Sequence, residues 1–96
     1  MPKKTDRNQQ EIIDALRKIG CTVVSTHTQH KGFPDLVVGY RGVNYLIEVK
    51  DGQKPPSAQK LTPQQVKFFD EWRGQVTVVN SVEQAIDYIT KHKQEK

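Results

Sequence analysis

Two apolar segments joined by a tight turn constrain the fold of this chain more than any other feature. Residues 35–40 and residues 44–50 each have the length and apolar content of a strand, and Arg41-Gly42 between them is a turn signal. The pair therefore predicts a β-hairpin. Because both faces of the first segment are apolar, we expect a sheet that is covered on both sides.

Capped helices and shorter apolar segments surround the hairpin. The predicted helices begin at the caps Asp6, Thr62 and Ser81, and the other predicted strands are residues 22–26 and 76–79. The order α-β-β-β-α-β-α is typical of a compact three-layer α/β domain. We expect one domain over residues 1–96, in which residues 1–5 and 91–96 are flexible basic tails.

Composition narrows the class of protein. A net charge of +4 fits a polyanionic partner or a merely solubilising surface. The single cysteine, Cys21, excludes an intramolecular disulfide and argues against a zinc cluster. No segment approaches the ~18–20 apolar residues of a membrane span. We therefore expect a soluble, cytoplasmic protein with no membrane partner, and a chain this short often gains stability as a homodimer.

Three side chains of the hairpin carry the chemistry. Glu48 and Lys50 are two residues apart on a strand and therefore share one face, and hairpin pairing brings Asp35 close to Glu48. Converging carboxylates repel each other unless a cation lies between them. Mg²⁺ or Mn²⁺ suits two such ligands, with the backbone carbonyl of Val49 as a third. Lys50 would hold a phosphate oxygen or orient the attacking water, so these groups suffice to hydrolyse a phosphodiester.

The same residues resemble a known nuclease superfamily. Pro34-Asp35 and Glu48-Val49-Lys50 resemble the signature of PD-(D/E)XK nucleases. More narrowly, the chain resembles stand-alone VRR-NUC domains of phages and bacteria, and the further motifs that carry this resemblance are residues 32–39 and 61–65. The resemblance implies a restriction-endonuclease-like three-layer α/β/α core with a central mixed sheet. It also implies Mg²⁺- or Mn²⁺-dependent cleavage of DNA, selective for branched DNA such as Holliday junctions, by a homodimer without an organic cofactor.

The resemblance adds further candidate residues. It makes Gln65 a catalytic candidate, although a glutamine at this position also suits a helix cap alone. Family members carry a glutamate on the first helix at the metal site. Gln9 occupies that place and Glu11 follows two residues later, so either is a candidate ligand. The candidates for contacting DNA come from position and not from the resemblance: Lys54 and Lys60 lie in the loop that leaves the strand of Lys50, and His30 and Lys31 lie just before the strand of Asp35.

Other interpretations stay open at this point. Because Gln9 replaces the expected acid, the chain could be a catalytically weak or inactive module that binds branched DNA. A relative that acts on RNA is a weaker third possibility. The aromatic residues that follow Gln65, which are Phe68, Phe69 and Trp72, are expected in the core rather than as base-stacking residues.

Overall fold

The computed structural model describes residues 7–26 and 32–91. Its strands are β1 (Thr22–Ser25), β2 (Leu36–Tyr40), β3 (Val43–Val49) and β4 (Val76–Val79). Its α-helices are α1 (Arg7–Lys18), α2 (Pro63–Glu71) and α3 (Val82–Lys91), and a short 3₁₀ helix covers Pro56–Gln59. The predicted order of elements is confirmed. No helix in these two ranges is long and apolar enough to cross a membrane.

The strands form one mixed sheet in the order β1-β2-β3-β4. β1 pairs with β2 and β2 with β3 in antiparallel fashion, so the predicted hairpin is confirmed. Both residues of its turn have positive φ, 51° at Arg41 and 83° at Gly42, which suits the twist of a tight hairpin. β4 lies parallel to β3 because the chain crosses over through α2 before it returns.

The main core lies on one face of the sheet, under α1 and α3. Side chains alternate along β3, so Tyr45, Ile47 and Val49 point into this core, together with Leu36 and Val38 of β2. Each of these five side chains is at most 7% exposed. α2 lies against the opposite face through Gln65. The arrangement is the expected three-layer α/β/α core with a mixed central sheet.

The layer formed by α2 is thin, and the prediction that its aromatic residues lie in the core is wrong. Trp72 is 41% exposed, Phe68 and Phe69 are half-buried, and none belongs to the main core. The reason is that the main core lies on the other face of the sheet, under α1 and α3. α2 packs outside this core, and none of its residues is fully buried. The outer face of β1 is also open, since Val24 is 61% exposed.

The ends of the described chain concern the predicted basic tails and the predicted cap of the first helix. Lys91, expected in a basic tail, is the last residue of α3 and its Nζ lies 3.3 Å from the Asp87 carboxylate. The predicted cap Asp6 and the rest of both predicted tails lie outside the described residues.

Candidate active site

The strand pattern brings the three candidate catalytic side chains to one face of the sheet. Leu36 and Val38 point into the main core from β2, so Asp35 faces the other way. The same alternation along β3 places Glu48 and Lys50 on that second face. The backbone N–H of Val49 donates to Asp35 Oδ2 at 2.9 Å, which holds the Asp35 carboxylate beside the Glu48-Val49 peptide.

Glu48 is the buried centre of the site. Its residue surface is 3% exposed, and its Oε2 accepts a hydrogen bond from Gln65 Nε2 at 2.8 Å and lies 3.5 Å from Lys50 Nζ. Its second oxygen, Oε1, is buried and has no hydrogen-bond partner among the described residues. A buried carboxylate oxygen without a partner is costly. This oxygen therefore marks a place that a further positive or donating group would complete.

The surroundings of Glu48 raise the pKa of its carboxyl to about 7 from the ordinary 4.5. Burial is the largest cause, because it disfavours the charged form, and the nearby Asp35 carboxylate adds to it. The Lys50 ammonium lowers the same pKa but does not cancel the increase. Without a further cation, the Glu48 carboxyl therefore carries a proton over much of the acid range.

Gln65 has both of the functions that the sequence left as alternatives. Its Oε1 accepts from the Thr62 backbone N–H at 2.9 Å, and its own N–H donates to Thr62 Oγ1 at 3.2 Å, which forms a complete capping box. The same Oε1 also accepts from Lys50 Nζ at 3.0 Å. Because an amide oxygen has two lone pairs and the Nε2 still donates, one side chain caps α2 and joins Glu48 to Lys50.

A glycine allows α2 to approach the segment before Asp35 closely. Gly32 has a φ of 85°, and a Cβ at this position would lie 2.6 Å from the carbonyl oxygen of Gln64. A side chain there would push the first turn of α2 away from the segment that leads to Asp35. The resemblance motif that begins at Gly32 thus has a steric reason.

The two candidates on the first helix do not join the carboxylates. Gln9 is half-buried, one turn before Ile12 and Ile13 on α1, and Glu11 is exposed in an open groove of about 310 Å³. Within residues 7–26 and 32–91, no hydrogen bond or ion pair connects either to Asp35 or Glu48. The same residues contain no cluster of three or more His, Cys, Asp or Glu side chains. Gln9 and Glu11 therefore stay predictions.

Sequence reasoning missed Asn8, which holds the backbone at the site. Its Nδ2 donates to the carbonyl oxygen of Lys50 at 2.8 Å and to that of Asn80 at 3.3 Å. The first turn of α1 is thereby tied to the chain just beyond β3 and β4. No local pattern distinguishes Asn8 from any other polar residue in a first helical turn, since both partners are distant in sequence.

The candidate DNA-contacting lysines lie on the surface. Lys54 and Lys60 are exposed and flank the 3₁₀ helix in the loop that follows Lys50. The Lys54 carbonyl accepts from Gln59 Nε2 at 2.7 Å, which orders the loop between them. His30 and Lys31 lie outside the described residues.

The donor set of the site fits a hard divalent cation. Asp35, which directly precedes β2, and Glu48 of β3 offer carboxylate oxygens, which are the ligands that Mg²⁺ and Mn²⁺ prefer. Glu48 Oε1 is the unpartnered buried oxygen that such an ion would complete. A bound cation would also stabilise the charged form of Glu48, which burial and Asp35 disfavour.

Comparison with known proteins identifies one relative. The sequence matches no protein-family model and no curated protein. Among solved structures, a chain described as a VRR_NUC domain is similar to this one, with 29% identity and a TM-score of 0.65. The match covers 91% of this chain and 95% of that chain. It supports both the resemblance noted in the sequence and the fold that the resemblance implied.

Proposed function

We propose that this chain, which is a nuclease-type domain of the VRR-NUC family, is a divalent-metal-dependent DNA endonuclease that hydrolyses phosphodiester bonds. One observation carries the proposal. Asp35, Glu48 and Lys50 share one sheet face, and Glu48 has a buried oxygen without a partner among the described residues. This is the arrangement in which a cation and an ammonium can act on the same phosphate.

The carboxylates of Asp35 and Glu48 would hold the cation, with the Val49 carbonyl as the third protein ligand. In an extended strand, the N–H and C=O of one residue point to the same side. The Val49 N–H points to Asp35, so its carbonyl also points to the Asp35 side. When bound, Mg²⁺ or Mn²⁺ neutralises the scissile phosphate and lowers the pKa of the attacking water.

Lys50 supplies a fixed positive charge beside the phosphate. Its side chain is only 14% exposed, and Glu48 and Gln65 hold the Nζ from two sides. A preoriented ammonium in a partly dehydrated site stabilises the charge that develops on a phosphate oxygen in the transition state. Gln65 acts through Lys50 and Glu48, so we assign it the part of a positioning residue.

The positioning part of Gln65 can be separated from its capping part. Q65A removes its own half of the capping box together with its contacts to Glu48 and Lys50, whereas Thr62→Ala removes only the Thr62 half of the box and should cost about 1 kcal/mol of unfolding free energy. We expect Q65A to lose a similar amount of stability and to lower the cleavage rate by about 10- to 100-fold. T62A should cut at nearly the wild-type rate. Urea unfolding and single-turnover kinetics of both variants measure the two effects, and equal rate losses would contradict a positioning part.

Branched DNA, such as a Holliday junction, is the proposed substrate, and the chain is proposed to act as a homodimer. One active site cannot cut two strands of a junction symmetrically without moving, whereas a two-fold pair of sites can. The net charge of +4 favours the phosphate backbone, and Lys54 and Lys60, with His30 and Lys31, are the proposed contacts.

A metal-titrated cleavage assay tests the proposed function. Labelled duplex, flap, splayed and four-way DNA, with a matched RNA, are incubated with wild type and D35N over a range of Mg²⁺ and Mn²⁺. We expect wild type to cut branched DNA only with metal and D35N to leave it intact. Light scattering of the wild-type protein without DNA should give a two-chain mass. DNA that is bound but uncut at every metal concentration would instead favour the inactive binding module.

A further inference from the structure

A row of side chains on α2 leads from the proposed active site to solvent. Gln65, Phe68 and Trp72 are spaced i, i+3 and i+7 along α2 and its C-cap, so they lie on one side of the helix. Gln65 contacts Glu48 and Lys50 at one end of the row. Trp72 at the other end is 41% exposed, although it is the largest apolar side chain in the protein.

Contacts on its inner side hold the Trp72 ring in place. Phe68 stacks on Trp72 with 5.1 Å between the ring centroids and 18° between the planes. Phe33 meets Phe68 edge to face at 5.3 Å. Gly74 lies so close that a Cβ there would be 2.9 Å from the indole Nε1. We call Phe33, Phe68 and Trp72 the aromatic platform, and its rigidity lowers the entropy that a ligand would have to remove.

The aromatic platform is connected to the site through two segments of chain. Phe33 directly precedes Pro34-Asp35, and Phe68 lies one turn beyond Gln65. Gln65 and Trp72 are seven positions apart along α2 and its C-cap, which corresponds to about 10 Å, or about three stacked nucleotides of one strand. Arg73, which is exposed and follows Trp72, offers positive charge to a phosphate at that distance.

We infer that Trp72, supported by Phe68 and Phe33, stacks on an unpaired base of the DNA, about three nucleotides from the phosphate that is cut. This inference rests on the proposed function and specifies the DNA feature that the domain selects. An unpaired base can place its flat face on an aromatic ring, whereas a base inside a duplex is stacked on both sides. The platform would therefore favour flaps, gaps and those branch points that carry an unpaired base over plain duplex.

The size of the exposed surface favours a base over a second protein chain. A stable protein interface needs about 800 Å² on each partner, whereas a whole tryptophan side chain buries only about 150–250 Å². One ring that is partly exposed matches the area of one base. A second copy of the chain is the competing occupant, and the experiment below distinguishes the two.

Binding of matched DNAs to a cleavage-deficient background tests the inference. In the K50M variant with Mg²⁺, anisotropy gives the affinity for a duplex and for the same duplex with a flap of about three nucleotides. We expect W72A to weaken flap binding by about 5- to 100-fold and duplex binding by about twofold at most. W72F should keep most of the flap affinity. Trp72 is the only tryptophan, so its fluorescence should be quenched by flap DNA and not by duplex.

Val66 provides a matched control, and three results would contradict the inference. Val66 is 49% exposed on another side of α2, and V66A should bind both DNAs as the K50M background does. Equal losses on both DNAs, or no loss in W72A, would overturn the inference. A W72A chain whose mass falls from dimer to monomer while its preference between flap and duplex DNA is unchanged would also overturn the inference, because Trp72 would then contact a second chain. Since binding is read without cleavage, a wild-type chain that prefers flap DNA yet never cuts it overturns the proposed function alone.

Discussion

Replacing Lys50 by methionine is expected to lower the single-turnover rate of DNA cleavage by about 10²- to 10³-fold, the usual cost of removing one preoriented donor. Methionine keeps most of the length and apolar stem of the lysine, which is only 14% exposed, so the fold should survive. The loss has two sources. The phosphate loses its fixed ammonium, and Glu48 loses the neighbour that lowers its pKa.

The two sources can be separated by pH and metal concentration. At about pH 8.5 with saturating Mn²⁺, Glu48 of K50M should be ionised and occupied, so the remaining rate loss reports the missing ammonium alone. Lys67→Met removes the same charge from a lysine that is 72% exposed on α2 and paired with Glu71, and this variant should cut normally. A K50M chain that cuts as fast as K67M under these conditions would remove Lys50 from the mechanism.

Replacing Glu48 by glutamine should abolish cleavage and yet stabilise the metal-free protein. Outer-shell changes at metal sites already cost about 10- to 100-fold, so loss of a direct carboxylate ligand should exceed 10²-fold or so. The amide has nearly the same shape, and its oxygen can still accept from Gln65 Nε2. It carries no charge, however, so it avoids the cost of ionising a side chain that is 3% exposed beside Asp35.

The sign of the pH dependence follows from the direction of the shift. The Glu48 pKa is about 7 in the folded protein and near 4.5 in the unfolded chain, so the folded state holds this proton more tightly. Below pH 4.5 the tighter binding of this proton contributes fully to the free energy of unfolding. The contribution falls as the pH rises to about 7 and is then constant. At about pH 8, E48Q should therefore be more stable than wild type by about 1–3 kcal/mol.

Urea unfolding in EDTA at about pH 4.5 and about pH 8 measures this difference. The unfolding free energies of E48Q and wild type should be nearly equal at the lower pH and differ at the higher pH. Glu71→Gln makes the same chemical change at a surface residue paired with Lys67, and its unfolding free energy should stay within about 0.5 kcal/mol of wild type at both pH values. An E48Q chain that is less stable than wild type at the higher pH would show that ionised Glu48 is already compensated without metal.

These two predictions describe a site whose chemistry opposes its stability. In the proposed mechanism an anionic Glu48 holds the cation, but burial and Asp35 make that anion costly in the metal-free fold. Lys50 and Gln65 compensate only one of its two oxygens. Such a conflict is characteristic of functional sites, where groups are arranged for the reaction rather than for the folded state alone.

The sequence by itself determined the parts of this protein that depend on short-range geometry. Alternation along two strands and a two-residue turn were enough to place Asp35, Glu48 and Lys50 on one face, because side chains of a strand change sides at every residue. The capping box at Thr62 and Gln65 was readable for the same reason, since it spans a single helical turn.

Only the tertiary structure decided which groups are buried and which distant groups meet. The bond from Asn8 to Asn80 joins residues 72 positions apart, and Gln65 reaches Glu48 across 17. The raised pKa of Glu48 and the exposure of Trp72 depend on how the two layers of helices divide the faces of the sheet. Burial and electrostatic shifts sum over everything that packs nearby, and neither residue type nor local spacing contains that sum.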